Sequence, residues 1–183
     1  MSCSGGGYVL LGLLAAVTAG GRWVSVLGMA RAGWLAFHEL GGDLSRLAHI
    51  PTSGPDPLSV ASVLLDGMDV VVVDGEVDAP PSRTRALIAR VRRHDSVLIV
   101  TNSGLVRPDL EIRSRTAGYV GLSAGGGRVR AVDIDVQVID RVGRRAVTPL
   151  RLGGAGDQRL AWTNRAAAAA DAAATSSNWT RTG

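Results

Sequence analysis

A mostly parallel α/β sheet, covered by helices on both faces and extended by antiparallel strands at its C-terminal side, is the fold that this chain of 183 residues predicts. Three observations carry that expectation. The run MDVVVV at residues 68–73 is a continuous β-branched stretch, as a strand buried on both faces requires. Such runs alternate with helical stretches up to residue 100, the pattern of parallel strands joined by crossover helices. After Pro108 the helical pattern stops and period-two alternation takes over, cleanest in VDIDVQV at 132–138.

The elements follow in order. Residues 2–7 form a glycine-rich loop, and 8–19 an apolar helix stopped by Gly20 and Gly21. Residues 22–27 (RWVSVL) read as a short buried strand, 30–39 as a helix ended by Gly41 and Gly42, and 46–50 as a strand closed by Pro51. Asp56 followed by Pro57 is a helix start, with the helix over 57–65. The valine strand ends at Asp74; a two-proline loop covers 78–82, a helix 83–94, and a strand 96–100. Segments 110–115, 118–122, 129–139 and 145–152 read as antiparallel strands, with glycine turns at 125–127 and 142–144. From Gly153 the sequence shifts to Gly, Ala, Thr, Ser and Asn. The division is therefore a core over 1–152 and a flexible tail over 153–183, with Trp162 and Trp179 in that tail as partner-binding anchors or incidental residues.

Apolar residues make up 46% of the chain and charged ones 20%, enough for a buried core. The net charge of +4, spread along the chain, is a weak argument for nucleic acid. A single cysteine, Cys3, excludes an internal disulfide framework and fits a reducing cytosol, so the expected location is cytoplasmic. The apolar run from Tyr8 mimics a signal peptide, but no cation precedes it and it is too short to span a bilayer; a buried first helix is the expectation, with no membrane partner.

All twenty basic side chains are arginine and none is lysine. Nucleotide-binding α/β cores place a Lys on the β- and γ-phosphates, and a planar guanidinium does not substitute for a compact ammonium there. The loop Ser4, Gly5, Gly6, Gly7 enters a helix, where backbone N–H groups can cradle an anion, yet it ends in neither Lys nor Ser/Thr. Asp74, after four valines, has either the placement of a Mg²⁺-holding Walker B acid or that of a turn and cap residue. Asn102 ends another strand at the edge where open α/β sheets bind ligands, and a plain Asx turn is the alternative. His38, His49 and His94 have no metal-ligand spacing, and no serine sits in a nucleophile elbow, so neither a metal nor a catalytic residue is expected. Arg90, Arg92 and Arg93, and then Arg141, Arg144 and Arg145, are two basic clusters: solvated faces or contacts to DNA or a partner.

In this order the pieces resemble the RecA core over nearly all of residues 2–152, through the helix from Tyr8, RWVSVL, the segment HELGGDLSRL at 38–47, DVVVVD at 69–74 and LIVTN at 98–102. The resemblance implies a RecA-like three-layer core. More narrowly, GRWVSVLGMARAGWLAFHELGGDLSRLAHIP and LLDGMDVVVVDGE are similar to actinobacterial ImuA-type proteins, RecA relatives encoded beside ImuB, an inactive Y-family polymerase. What this implies is a non-catalytic accessory protein in SOS-induced mutagenic translesion synthesis. Its partners would be an ImuB-like protein, through it an error-prone C-family polymerase, and possibly DNA. The departures from RecA point the same way. Gly-Lys-Thr is replaced by Ser4, Gly5 and Gly6, and Met29 stands where the catalytic Glu belongs. Asp74 and Asn102 match, but Ser103 replaces the expected Gln. The chain is thus expected to be a pseudo-ATPase without a cofactor. The alternatives are a RecA-like ATP-binding, ATPase or DNA-binding module using Mg-ATP, and a SulA-like cell-division inhibitor. Met1 falls almost on the loop, so the central strand that should lead into it is expected from an upstream frame or from a partner.

Overall fold

The computed structural model describes residues 1–5, 7–101, 108–123, 126–154 and 159–167. The elements are β1 (Ser2–Ser4), α1 (Gly7–Ala19), β2 (Val24–Leu27), α2 (Trp34–Glu39), β3 (Leu47–Ile50), α3 (Pro57–Leu64), β4 (Val70–Val73), α4 (Pro81–Arg93), β5 (Val97–Val100), β6 (Leu110–Ser123), β7 (Gly126–Asp140), β8 (Arg145–Gly153) and β9 (Ala161–Asn164), with a short 3-10 turn at Leu44–Arg46. All nine strands join one sheet in the order β3-β2-β4-β5-β1-β6-β7-β8-β9. Every pairing from β3 through β6 is parallel, and β6 through β9 pair antiparallel. The architecture is therefore mixed α/β, mostly parallel, with a C-terminal antiparallel extension.

Strand alternation sorts the core onto two faces. Val24, Val26, Val70, Val72 and Ile99 pack with Leu10, Leu14 and Ala15 of α1 and with Phe37 of α2. Leu27, Val71, Val73 and Val100 pack with Leu58 and Ala61 of α3 and with Leu87 of α4. All four valines of β4 are buried, the reason for the unbroken β-branched run. α1 is apolar almost all round because one side meets the sheet and the other meets α2 and the extension. Thr18, near its end, is buried; its hydroxyl donates to the carbonyls of Leu14 and Ala15 and accepts from the N–H of Asp43.

Four expectations are corrected here. The central strand does not come from elsewhere: Ser2–Ser4 pairs in parallel with both β5 and β6. It was missed because three residues, two of them serine, carry no periodicity. α2 starts at Trp34 rather than at residue 30, because Gly28 and Met29 both adopt positive φ (86° and 52°) and turn the chain before a helix can begin. The tail boundary at 153 also fails. Leu152 pairs with Trp162 and Leu150 with Asn164, so β9 is the ninth strand, and Trp162 joins the cluster of α1. The composition argument failed because a four-residue edge strand needs only one anchoring aromatic. α4 also begins earlier than expected, with Pro81 in its first turn.

Candidate functional site

In a parallel sheet the C-terminal strand ends converge on one edge, and here β2, β4 and β5 deliver Gly28, Asp74 and Thr101 to it. Asp74 accepts at Oδ2 from the Met29 N–H (3.1 Å) and at Oδ1 from the Thr101 hydroxyl (2.6 Å). Thr101 in turn accepts from the Gly75 N–H at 3.2 Å. Main-chain bonds lock the same edge: Asp74 N–H donates to Leu27, Gly28 N–H to Ile50, and Thr101 N–H to Val73. Gly28 fits because a Cβ there would sit 3.0 Å from both the Cβ and the carbonyl oxygen of Asp74. Asp74 thus holds the Gly28–Met29 turn in its left-handed conformation, with both carboxylate oxygens occupied by its own chain.

The turn is held from its other side by His49. Its Nε2 lies 2.9 Å from the Gly28 carbonyl, and the Trp34 indole donates to its Nδ1 at 3.2 Å. An acceptor at Nδ1 and a carbonyl at Nε2 fix the Nε2–H tautomer. The Trp34 and His49 rings meet edge-on at 4.7 Å. Trp34 and Thr101 were not singled out from the sequence, and Met29 and His49 were named only as the residue in place of the catalytic Glu and as a histidine without metal-ligand spacing. The available signal was Thr101 directly after the apolar β5; the His49–Trp34 contact joins residues fifteen apart and left no periodic trace.

Of the phosphate-loop residues, Ser4 ends β1, and its carbonyl accepts from the Ser114 hydroxyl at 3.3 Å. Gly5 takes φ +105°, and a Cβ there would overlap the carbonyl oxygen of Ser114, so the loop lies directly against β6. Gly7 opens α1 with open space where a Cβ would stand, whereas Gly6, Asn102 and Trp179 lie outside the described residues.

The two arginine clusters differ in how far their cations are paired. Arg90 is a bidentate partner of Asp66 (both contacts 2.6 Å) and also donates to Ser62, tying α4 to α3. Its guanidinium holds the Asp66 carboxyl below its ordinary range. His94 approaches the same carboxylate at 3.2 Å. Arg93 is exposed, and Arg92 helps line a cavity of about 360 Å³ between α4, β5 and the start of β6, with Leu87, Val91, Leu98 and Leu110. At the β7–β8 turn, Arg141 lies 3.8 Å from Asp109 and Arg144 lies 3.5 Å from Asp140, while Arg145 is exposed. Trp162 packs its indole over Gly12 of α1, where a Cβ would come within 2.6 Å of Nε1, and stays half-buried.

Among the described residues no three His, Cys, Asp or Glu side chains gather to hold a metal ion, and no helix is long and apolar enough to cross a membrane. Cys3 is buried, and burial pushes its thiol up, away from the thiolate.

A family model described as the MT3502 N-terminal domain matches residues 1–106, the part of the chain that holds the first five strands. Rv3395c of Mycobacterium tuberculosis, described only as an uncharacterised protein, is 42% identical over 117 residues, covering 63% of this chain. The chain spans 57% of that relative's length. SulA from Pseudomonas aeruginosa aligns in structure at a TM-score of 0.45 and 12% identity, over 57% of this chain and 97% of SulA. The CcbJ methyltransferase from Streptomyces caelestis aligns at 0.22 and 15%, over 85% of this chain and 75% of the enzyme. Both structural likenesses are too shallow to speak to function.

Proposed function

The chain belongs to the MT3502 N-terminal domain family, and from that premise we propose that it is a non-catalytic, RecA-like accessory protein of SOS-induced mutagenic translesion synthesis. In this reading it is a folded adaptor that binds an ImuB-like inactive Y-family polymerase, and through it an error-prone C-family polymerase. One observation carries the non-catalytic part: both oxygens of Asp74, the acid that a RecA-like site would give to Mg²⁺, bind the Met29 N–H and the Thr101 hydroxyl. Phosphoryl transfer needs cationic charge on the phosphates, a held metal and an oriented water. The chain has no lysine, and Gly5 of the loop is pressed against β6. The residues present therefore do not fit a magnesium triphosphate, and no step is assigned through one.

The partner half of the reading rests on the ImuA-like segments 21–51 and 64–76, both inside the family match and carried by the β2–β3 and α3–β4 regions. Copurification of the full chain with an ImuB-like protein tests it. Removal of 153–183 is the wrong truncation, since it deletes β9 and Trp162. Removal of 168–183 keeps them. Capture that survives in the full chain and is lost on the shorter truncation supports a terminal contact. Capture unaffected by it moves the contact to the sheet, whose edges are β3 and β9. No capture by the full chain refutes the adaptor.

A further inference from the structure

The charge is not evenly spread once the sequence is laid on the fold. Residues 1–101 carry eight arginines against nine acids, whereas residues 108–167 carry ten arginines against six acids. The bias is greatest in one place: between Glu111 and Asp133 there are four arginines and no acid. That stretch forms the outer part of the β6–β7 hairpin. β1 pairs with β6 only up to Arg113, and β8 pairs with β7 only from Ala131 onward. Among the described residues the two strands continue beyond those points to Ser123 and Gly126, and past Val120 and Ala131 no third strand pairs with either. The result is a two-stranded arm beyond Val120 and Ala131, with Tyr119 at its root.

The arm has a defined chemistry. Tyr119 is opposite Val132, and Arg130 and Arg128 follow two and four residues on along β7, within the bulge that faces Gly121. Tyr119 is 55% exposed. Arg128 and Arg130 are exposed, and their guanidinium groups have no partner among the described residues, unlike Arg113, which pairs with Glu111, and Arg115, which pairs with Asp135. Gly121, at φ +94°, fits a bulge in which a Cβ would overlap the Arg128 carbonyl and touch the Arg130 side chain at 3.0 Å. The bulge curls the ribbon around the strand that carries the two cations.

We propose that this arm is a nucleic-acid-binding element that grips single-stranded DNA, with Arg128 and Arg130 on backbone phosphates and the Tyr119 ring against a base. Two uncompensated guanidinium groups without a neighbouring carboxylate suit phosphates, and an exposed aromatic at the root of the arm supplies the sequence-tolerant stacking surface. Val120, Leu122 and Val129 of the arm carry no charge and favour no polyanion. The proposal does not depend on the adaptor reading, because it concerns the purified chain alone.

The experiment is fluorescence anisotropy of the full chain with a labelled mixed-sequence single-stranded oligonucleotide, and separately with its duplex, over a series of salt concentrations. The wild type should bind the single strand with a log–log salt slope that drops by about 1.4 in the Arg128→Ala/Arg130→Ala variant, together with at least a tenfold loss of affinity at low salt. Tyr119→Ala should weaken single-strand binding by about tenfold and duplex binding less. All three positions are exposed, so an unchanged melting temperature shows that the variants fold. No single-strand binding at low salt overturns the proposal, as does a double variant that binds like wild type. Equal loss on duplex and single strand in Tyr119→Ala overturns the stacking role. Retained capture of an ImuB-like protein by the arm variants keeps this result separate from that of the adaptor test.

Discussion

The parallel half of the sheet and its antiparallel extension solve the same burial problem differently. In β2 and β4 every residue is buried, because helices cover both faces. These strands are four residues long and hold almost no polar side chain; Ser25 on β2 is the buried exception, its hydroxyl without a hydrogen-bond partner. In the extension only one face is apolar. Ile112, Ile134, Val136 and Leu152 pack against α1, while the opposite face carries a ladder in which Arg151 and Arg165 bind Asp133, and Arg115 and Arg165 bind Asp135. The lesson is where freedom remains. Asp74 and Thr101 of the parallel half are consumed in holding a turn, whereas Arg128 and Arg130 of the arm have no partner among the described residues.

That contrast can be broken or sharpened by substitution, starting with the seam where the halves meet. Gly5→Val forces a branched side chain at φ +105° into the Ser114 carbonyl, and is expected to cost more than about 3 kcal/mol in urea unfolding. A stable Gly5→Val protein would show that the loop is not pressed on β6. Trp162→Ala should cost about 2 kcal/mol, less than a fully buried tryptophan, since the indole is half-buried over α1. A melting temperature unchanged by it would return β9 to the tail. Asp74→Ala strands the Met29 N–H and the Thr101 hydroxyl and should cost about 1–2 kcal/mol, while Asp74→Asn, which keeps an acceptor, should cost less. An acid reserved for a ligand would instead leave stability unchanged or raised on removal.

The smallest effect is acid sensitivity. Hydrogen bonds from Arg83 and Ser59 hold the Asp56 carboxyl down to about 2, and Asp43, Asp66, Asp69 and Asp133 are also lowered, by Ser45, Arg90, the Trp23 N–H and Arg151 respectively. Folded-state values below unfolded ones mean that the unfolded chain binds protons more tightly. The stabilisation is complete above the unfolded carboxylate range near about 4 and is lost as pH falls toward 2. Denaturant titrations across that window should show a gentle decline, shallower in Asp56→Asn; a flat profile would deny that these pairs form.

The order of the parallel half was legible because buried parallel strands are written as apolar runs: β2, β4 and β5 lie within the stretches that the sequence marked. Helix starts were legible where chemistry marked them, as at Asp56, whose carboxylate caps the Ser59 N–H of α3. β1 and β9 were not legible, since SCS and AWTN are not the apolar runs that mark the equally short β2, β4 and β5. The position of Asp74 was legible but its use was not. A carboxylate after a valine strand has the same sequence signature whether it faces a metal or a backbone N–H. What the sequence did not show is the three-dimensional arrival of the Met29 N–H and the Thr101 hydroxyl at its two oxygens.

The central claim is that this edge is closed by its own residues and serves as scaffold. Calorimetric titration of the full chain with millimolar Mg-ATP, followed by an assay of released phosphate, tests it most directly. The account predicts no saturable heat and no phosphate above the blank. Saturable binding that Asp74→Ala abolishes, with steady phosphate release, would contradict it.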